Sequence, residues 1–236
     1  ICLGECITLN AIVTSSSGTP QITWSPTPQS GQGTANPTVC PSTTTFYDVT
    51  VTDDNGCTAT DQVLVVVNNL VDASASSNSP ICVGEDLELY GAAAVTGGVT
   101  VSSWMWTGPP GVVFDPNPNV QNPKVLNASL GASGTYTLKV TDSNGCEVTD
   151  DVNVVINPLP TLNIGTPECA PDLQTFSVDI TTNADLVTSN PGTVTFNGGN
   201  SYTISGIPSG ISATVTAVIT ATGCEIQQVV IPHVCE

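Results

Sequence analysis

The chain has 236 residues and a formal net charge of -18, set by 20 acidic side chains against two lysines. This charge excludes nucleic acids and anionic membrane surfaces as partners, because both are bound through cationic groups. Hydrophobic residues make up 39% of the chain. No apolar run approaches the roughly 20 residues of a membrane span, so we expect no direct membrane insertion.

Module 1, residues 1–69, opens with a loop, Cys2-Leu3-Gly4-Glu5, and continues into a strand that should point Ile7, Leu9 and Ala11 inward. Alternation of apolar and polar residues is typical of a half-buried strand. The other strands of this module are predicted at residues 21–24 and 38–40 and, as a long hairpin, at residues 46–68.

Module 2, residues 70–158, repeats this plan. Cys82-Val83-Gly84-Glu85 copies the opening loop, and residues 135–157 copy the hairpin. Asn144-Gly145 is expected to supply the positive φ angles of a tight hairpin turn. Residues 71–77 are predicted as a first strand that has no counterpart in module 1. Its absence leaves an unpaired sheet edge there.

Module 3, residues 159–236, is a weaker copy whose hairpin, residues 212–232, turns at Thr222-Gly223-Cys224. It lacks the tryptophan of the other two modules, and Phe196 is expected in that place. The pattern predicts an all-β chain of three tandem immunoglobulin-like, antiparallel β-sandwich modules in an elongated array. The large aromatic residues expected in the cores are Trp24, Trp106, Tyr47 and Tyr136.

Four segments carry a resemblance to a known family: the Ile-Cys-x-Gly-Glu openings, TYTLKVTDSNGC, CAPDLQTFSVDIT and YTISGIPSG. They resemble the tandem PKD-like and Ig-like repeats of secreted surface proteins of Bacteroidota, which include the giant adhesins of gliding bacteria. The resemblance implies export, by the type IX route, and a role in adhesion or extracellular filaments. Because no signal peptide is visible and the chain begins at Ile1, we expect a mature product or an excised piece.

Nine cysteines without a CxxC pair predict disulfides and an oxidising, extracellular or cell-surface setting. In a sandwich of this topology, the opening loop lies at the end where the chain leaves the module, and the hairpin turn lies at the opposite end. The last strand separates them by about 33 Å, too far for a disulfide, whose Cα atoms lie within about 7 Å. Topology therefore favours pairing between neighbouring modules.

The favoured set has two junction pairs and two pairs within modules. It consists of Cys2–Cys146, Cys82–Cys224, Cys6–Cys40 and Cys169–Cys235, and leaves Cys57 for an upstream module or another subunit. A simpler alternative pairs each opening cysteine with the hairpin cysteine of its own module. That set is Cys2–Cys57, Cys82–Cys146 and Cys169–Cys224.

No catalytic set is recognisable, since the single histidine, His233, has no nucleophile motif beside it. We expect no enzyme activity and no cofactor. Calcium is the one ion with candidate ligands, because Asp53, Asp54 and Asp142 fall near the predicted junctions.

The sequence thus predicts a structural repeat protein of a filament or adhesin. Its partners would be copies of itself or neighbouring repeats of the same chain. The missing first strand and Cys57 suggest head-to-tail polymerisation, in which a preceding chain adds a strand, or else a longer chain in which the same strand lies just upstream of Ile1. Two alternatives stay open. One is a ligand- or carbohydrate-binding adhesin module, with Trp104 and Tyr202 as candidate exposed aromatics. The other is a set of accessory domains of a larger secreted enzyme.

Overall fold

A computed structural model describes residues 1–14, 18–68, 70–95 and 99–236. Within these residues the chain is built from strands, with one short 3-10 turn at Leu130–Ala132 and no α-helix. Three separate clusters of buried apolar residues form the cores, and each draws its members from one of the three sequence ranges defined above.

Module 2 shows the sandwich most fully. One sheet has the order β10-β8-β6 and the other β12-β11-β9. This is the two-sheet arrangement of an immunoglobulin-like domain. Its strands are β6 (Leu70–Ser77), β7 (Ile81–Cys82), β8 (Leu87–Val95), β9 (Val101–Thr107), β10 (Lys124–Val125), β11 (Gly134–Asp142), β12 (Glu147–Val154) and β13 (Ile156–Asn157).

Module 1 is a reduced version, with five strands among its described residues instead of the six or seven expected. Its sheets are β2-β4-β5 and the short pair β1-β3. None of the described strands of module 1 corresponds to β6. Its strands are β1 (Ile7–Thr8), β2 (Gln21–Ser25), β3 (Thr38–Val39), β4 (Thr45–Thr52) and β5 (Thr58–Val65).

Module 3 has a four-stranded sheet, β14-β15-β18-β17, facing a three-stranded one, β16-β19-β20. Its strands are β14 (Leu162–Cys169), β15 (Thr175–Thr182), β16 (Leu186–Asn190), β17 (Thr193–Gly198), β18 (Ser201–Pro208), β19 (Ala213–Ile219) and β20 (Cys224–Val230).

The four large aromatic residues expected in the cores, Trp24, Trp106, Tyr47 and Tyr136, are all buried. Each tryptophan also satisfies its indole N–H, Trp24 on the carbonyl of Thr34 at 2.9 Å and Trp106 on that of Gln121 at 3.1 Å. A buried indole needs such a partner, so this shared contact fixes the loop that follows each tryptophan strand.

Two expectations about apolar side chains are wrong. Phe196 does not replace the tryptophan, since it is 60% exposed on β17, whereas Phe176 on β15 is buried in the core of module 3. Ile7 is 41% exposed, although Leu9 on the same face is buried. Alternation alone does not tell which residues at the end of a short strand are covered.

The hairpin turns also differ from the expectation. Gly145 has φ +85°, but Asn144 is not among the residues with positive φ. The Asp142 N–H bonds to the Cys146 carbonyl, and the Gly145 N–H bonds to the Asp142 carbonyl. This is a three-residue loop with a glycine bulge. Only the glycine adopts the left-handed conformation, because the earlier residues of such a loop form a type I turn.

Candidate functional site: the module junctions

The loop Cys-x-Gly-Glu has the same conformation in modules 1 and 2. Glu5 Oε2 accepts the Cys2 N–H at 2.9 Å, and Glu85 Oε2 accepts the Cys82 N–H at 2.7 Å. The glycine between them, Gly4 or Gly84, has φ near +90°, a conformation that favours glycine. Cysteine, glycine and glutamate therefore act together to fix the backbone that carries the sulfur.

A parallel contact with the end of the last strand fixes where each loop lies. The Leu3 N–H donates to the Asn68 carbonyl at 3.0 Å, and the Val83 N–H donates to the Asn157 carbonyl at 2.9 Å. Cys2 and Cys82 are thereby held at the end of the module where the chain passes to the next one. We call this end the C-terminal pole, and the end that carries the hairpin turn the N-terminal pole.

The hairpin turns present the second cysteine of each junction. Asp142 Oδ1 accepts the Cys146 N–H at 2.8 Å and the Asn144 N–H at 2.8 Å. Asp53 makes the same two bonds in module 1, to Cys57 and Asn55. In module 3 the Thr222 hydroxyl takes this role and accepts the Cys224 N–H at 3.3 Å.

Disulfides join the C-terminal pole of each of the first two modules to the N-terminal pole of the next. Cys2 is bonded to Cys146 and Cys82 to Cys224, across 144 and 142 residues of sequence. The other two bonds lie within modules, Cys6–Cys40 and Cys169–Cys235. These are the four pairs of the topological set, and none of the three pairs of the alternative set is formed.

Cys57 is the one free cysteine, and it is exposed. The matching residues of the other turns are covered: Cys146 is 3% exposed and Cys224 is 0% exposed. The same turn is therefore buried where a module precedes it through a disulfide, and open at the N-terminal pole of module 1.

Two of the three acidic residues considered for calcium have other roles. Asp53 and Asp142 serve as acceptors in separate turns, and Asp53, Asp54 and Asp142 do not come together as a cluster. The described residues contain one group with metal-ligand geometry: Cys169, His233 and Cys235. Two of these are tied up in a disulfide, which leaves one nitrogen ligand.

Both lysines form surface ion pairs. Lys124 Nζ lies 2.5 Å from Glu88 Oε1, and Lys139 Nζ lies 2.9 Å from Glu147 Oε1. The hydrogen bond from Lys124 lowers the pKa of Glu88, with a further hydrogen bond from Tyr90. The same contact with Glu88 raises the pKa of Lys124. These exposed pairs contribute little to stability.

The aromatic residues considered for carbohydrate binding are not free. Tyr202 is buried in the core of module 3, and Trp104 is half-buried against the core of module 2. Trp104 shares its strand face with Trp106, and the adjacent Gly91 leaves room for its ring. These two candidate residues therefore do not form an exposed platform, and the position of Trp104 agrees with its place two residues from Trp106 on the same side of the strand.

Two spacings in the sequence carry a signal for the junction in addition to the cysteines themselves. The spacing Asp-x-Asn-Gly-Cys occurs at residues 53–57 and 142–146, and Cys-x-Gly-Glu occurs twice. From the sequence alone, Asp53 and Asp142 are candidate ligands for calcium only, and no role is predicted for Glu5 or Glu85. Their side chains instead hold the backbone of a cysteine, a role that requires a fixed spacing.

No protein-family model and no curated protein matches the chain. Among solved structures it is similar to an I-band fragment of titin, with 12% identity, a TM-score of 0.43 and coverage of 98% of this chain and 93% of that one. Extracellular domains 3–5 of Drosophila OTK are 12% identical to it, with a TM-score of 0.39 and coverage of 98% of this chain and 92% of that one. Three N-terminal domains of the Hoc capsid protein of bacteriophage RB49 are 14% identical to it, with a TM-score of 0.39 and coverage of 100% of this chain and 96% of that one.

By its own strand order, the chain is an array of immunoglobulin-like sandwiches with four disulfides. Disulfides at this density are typical of domains that fold and work outside the cytosol. Within the described residues, no helix has the length and apolar character needed to cross a bilayer.

Proposed function

We propose that this chain is a non-enzymatic structural segment of an extracellular filament or surface adhesin, of the secreted bacterial kind that its sequence resembles. Each module would add length, and each junction would limit bending. The modules would continue end to end beyond the N-terminal pole of module 1.

One observation carries this proposal: the same two-part lock occurs at both junctions. At each junction, a cysteine whose backbone is held by a glutamate side chain forms a disulfide with a cysteine in the hairpin turn of the next module. The two bonds are Cys2–Cys146 and Cys82–Cys224. A disulfide that only stabilised a small core would be expected to lie within one module. Two equivalent bonds between modules indicate that the angle between modules is what the sequence maintains.

The physical effect is a second covalent connection at each junction. Modules joined by a single linker usually move relative to each other. When a second bond lies at a distance from the linker, rotation about the linker is restricted, because both attachment points must move together. A chain of such junctions transmits orientation as well as tension.

The proposal is tested by opening the junctions without changing the cores. A variant with Cys2, Cys146, Cys82 and Cys224 all changed to Ser loses both junction bonds, and Cys6→Ser with Cys40→Ser is the matched control that loses a bond within a module. Small-angle X-ray scattering should show a broader distribution of interdomain distances for the first variant only. Equal distance distributions for wild type and the junction variant would contradict the proposed role.

A further inference from the structure

Module 1 has an open groove along one side of its sandwich. It has a volume of about 420 Å³ and lies between residues 9–14 on one side and β5 on the other. Trp24 and Leu9 form part of its wall. Leu9 and Ala11 donate their N–H groups to Pro37 and Ala35 on the inner side.

The outer edge of this groove lacks a partner. The main-chain N–H groups of Leu9 and Ala11 point to the inner side of the groove, so those of Asn10 and Ile12, which alternate with them, point outward. Within the described part of the chain, the main-chain groups of Asn10 and Ile12 make no hydrogen bond. Ile12 is 80% exposed. An unpaired edge of this kind is a template for another strand.

In module 2 a strand fills the same place. β6 pairs with β8 in antiparallel register, with Ala75 opposite Gly91. Ala73 and Ala75 pack against the core. On its other side, β6 donates the Ala75 N–H to Asp150 Oδ2 of β12 at 2.8 Å. β6 therefore closes the sandwich between two strands.

Module 1 keeps the groups that would receive such a strand. Ala11 matches Gly91 in the repeat, and Asp61 matches Asp150. The face of β12 under β6 is half-buried at Val148, Asp150 and Val152. The same face of β5 is exposed along its length, and its residues are Ala59, Asp61 and Val63.

The cysteines identify the occupant. Eight of the nine are in disulfides, so a second copy of this chain offers Cys57 no thiol other than its own Cys57. In module 2, β6 continues directly from module 1 and ends at Ser77, shortly before the loop that carries Cys82. By analogy, the strand in the groove of module 1 is the polypeptide that continues out of a preceding module, and the cysteine bonded to the turn comes from the opening loop of that module.

We propose that module 1 receives, in this groove, an extended strand formed by the polypeptide immediately upstream of Ile1, coming from a further immunoglobulin-like module. The cysteine of that module's Cys-x-Gly-Glu loop bonds to Cys57. The two thiols lose two protons and two electrons to a disulfide oxidant, which leaves as two thiols. This inference deepens the proposed function, on which it rests, by naming the partner at the open pole.

The groove is tested with the full chain extended before Ile1 by a copy of residues 70–80, LVDASASSNSP. The readout is native-state hydrogen exchange. We expect the amides of Asn10 and Ile12 to exchange at least ~10-fold more slowly than in the parent chain, since they gain strand partners. The matched control changes the two alanines of the added segment that correspond to Ala73 and Ala75 to Asp, which should abolish the protection.

Asp61 supplies a second measurement. Asp61→Ala should change the parent chain little, because the exposed side chain accepts a hydrogen bond there from the adjacent Gln62 N–H and is not buried, and should reduce the protection in the extended chain. Asp150→Ala should weaken the protection of β6 in both chains, because that contact is already made.

The cysteine is tested by placing a second copy of residues 1–80 before Ile1 and mapping disulfides without reduction. The expected bond joins Cys2 of the added copy to the original Cys57. A Cys57 thiol that stays free for alkylation would overturn this part of the proposal.

Three results would overturn the strand proposal: unchanged exchange at Asn10 and Ile12, equal protection by the Asp control, or a parent chain that sediments as a dimer with both amides already protected. The last would assign the groove to a second copy. None of them alters the scattering comparison of junction variants, so the two proposals fail separately.

Discussion

The Tyr136 hydroxyl is a polar group inside the core of module 2. It donates a hydrogen bond to the Ala132 carbonyl at 2.8 Å. Changing Tyr136→Phe removes this bond, so we expect the free energy of unfolding of module 2 to fall by about 1 kcal/mol. Hydrogen exchange of the most protected β11 amides measures this value. Tyr47→Phe is the matched control, because the Tyr47 hydroxyl has no acceptor among the described residues, and it should change stability by less than about 0.5 kcal/mol.

The same residue predicts an alkaline effect. Burial raises the pKa of Tyr136 to about 12, whereas an unfolded tyrosine ionises near pH ~10. Between these values the unfolded state has lost a proton that the folded state keeps, so stability falls as the pH rises from about 10 toward 12. The stability advantage of wild type over Tyr136→Phe should therefore narrow in this window. An advantage that stays constant would show that the phenol loses its proton at the same pH in the folded and unfolded states, so that burial does not raise its pKa.

Asp142 is a buried carboxylate with two different oxygens. Oδ1 accepts two turn amides, and Oδ2 is buried without a partner. Asp142→Ala leaves both amides without their acceptor, and we expect a loss of about 2 kcal/mol in module 2. Asp142→Asn keeps an acceptor and removes the unpaired anionic oxygen, so its loss should be smaller. If Asn and Ala were equally destabilising, the turn amides would not be what Asp142 stabilises.

At the scale of residues, the sequence predicted what depends on spacing and missed what depends on neighbours. The sequence could predict that Cys82 and Cys146 do not bond to each other, because the length of the strand between them follows from its number of residues. Phe196 was misplaced because its exposure depends on whether another element covers β17. The roles of Glu5 and Asp53 were not predicted, because a polar side chain that accepts hydrogen bonds from the backbone of nearby residues produces no periodic pattern of apolar residues.

At the scale of elements, β8 and its counterpart in module 1 form a matched pair. The N–H groups of Ala75 and Gly91 are bonded elsewhere, so Tyr90 and Ala92 supply the amides that face β6. We expect hydrogen exchange to be slow at Tyr90 and Ala92 and fast at Asn10 and Ile12, which lack the strand. Equal rates at the two sets of amides would mean that the groove of module 1 is already closed in solution.

This pair also shows why one predicted strand was too long. Residues 7–11 alternate as a strand does, yet β1 covers only Ile7–Thr8. β8 extends over Leu87–Val95, with β6 and β10 on its two sides. A strand's length depends on its partners, and the partner that lengthens β8 has no equivalent among the described residues of module 1. Long hairpins such as β11–β12 were predicted well because each strand brings its own partner.

At the scale of the whole molecule, the two kinds of disulfide differ in access. Each junction bond has one fully covered cysteine, Cys146 or Cys224. Each bond within a module has an exposed one, Cys6 or Cys169. Thiol–disulfide exchange requires a thiolate to reach a sulfur atom, so access limits its rate. The disulfides between modules are therefore better protected from thiol–disulfide exchange than the disulfides within modules.

This difference predicts an order of reduction. Under limited reductant at neutral pH, Cys6–Cys40 and Cys169–Cys235 should open before either junction bond, and alkylation followed by mass spectrometry identifies which cysteines are released. The scattering profile should stay unchanged through this first phase and change only when Cys2–Cys146 and Cys82–Cys224 open. Release of Cys2 or Cys82 in the first phase would contradict the protection that the neighbouring module is expected to give. Because the junction bonds are the less accessible ones, modules joined by them should keep their relative orientation under reducing conditions mild enough to open only the bonds within modules.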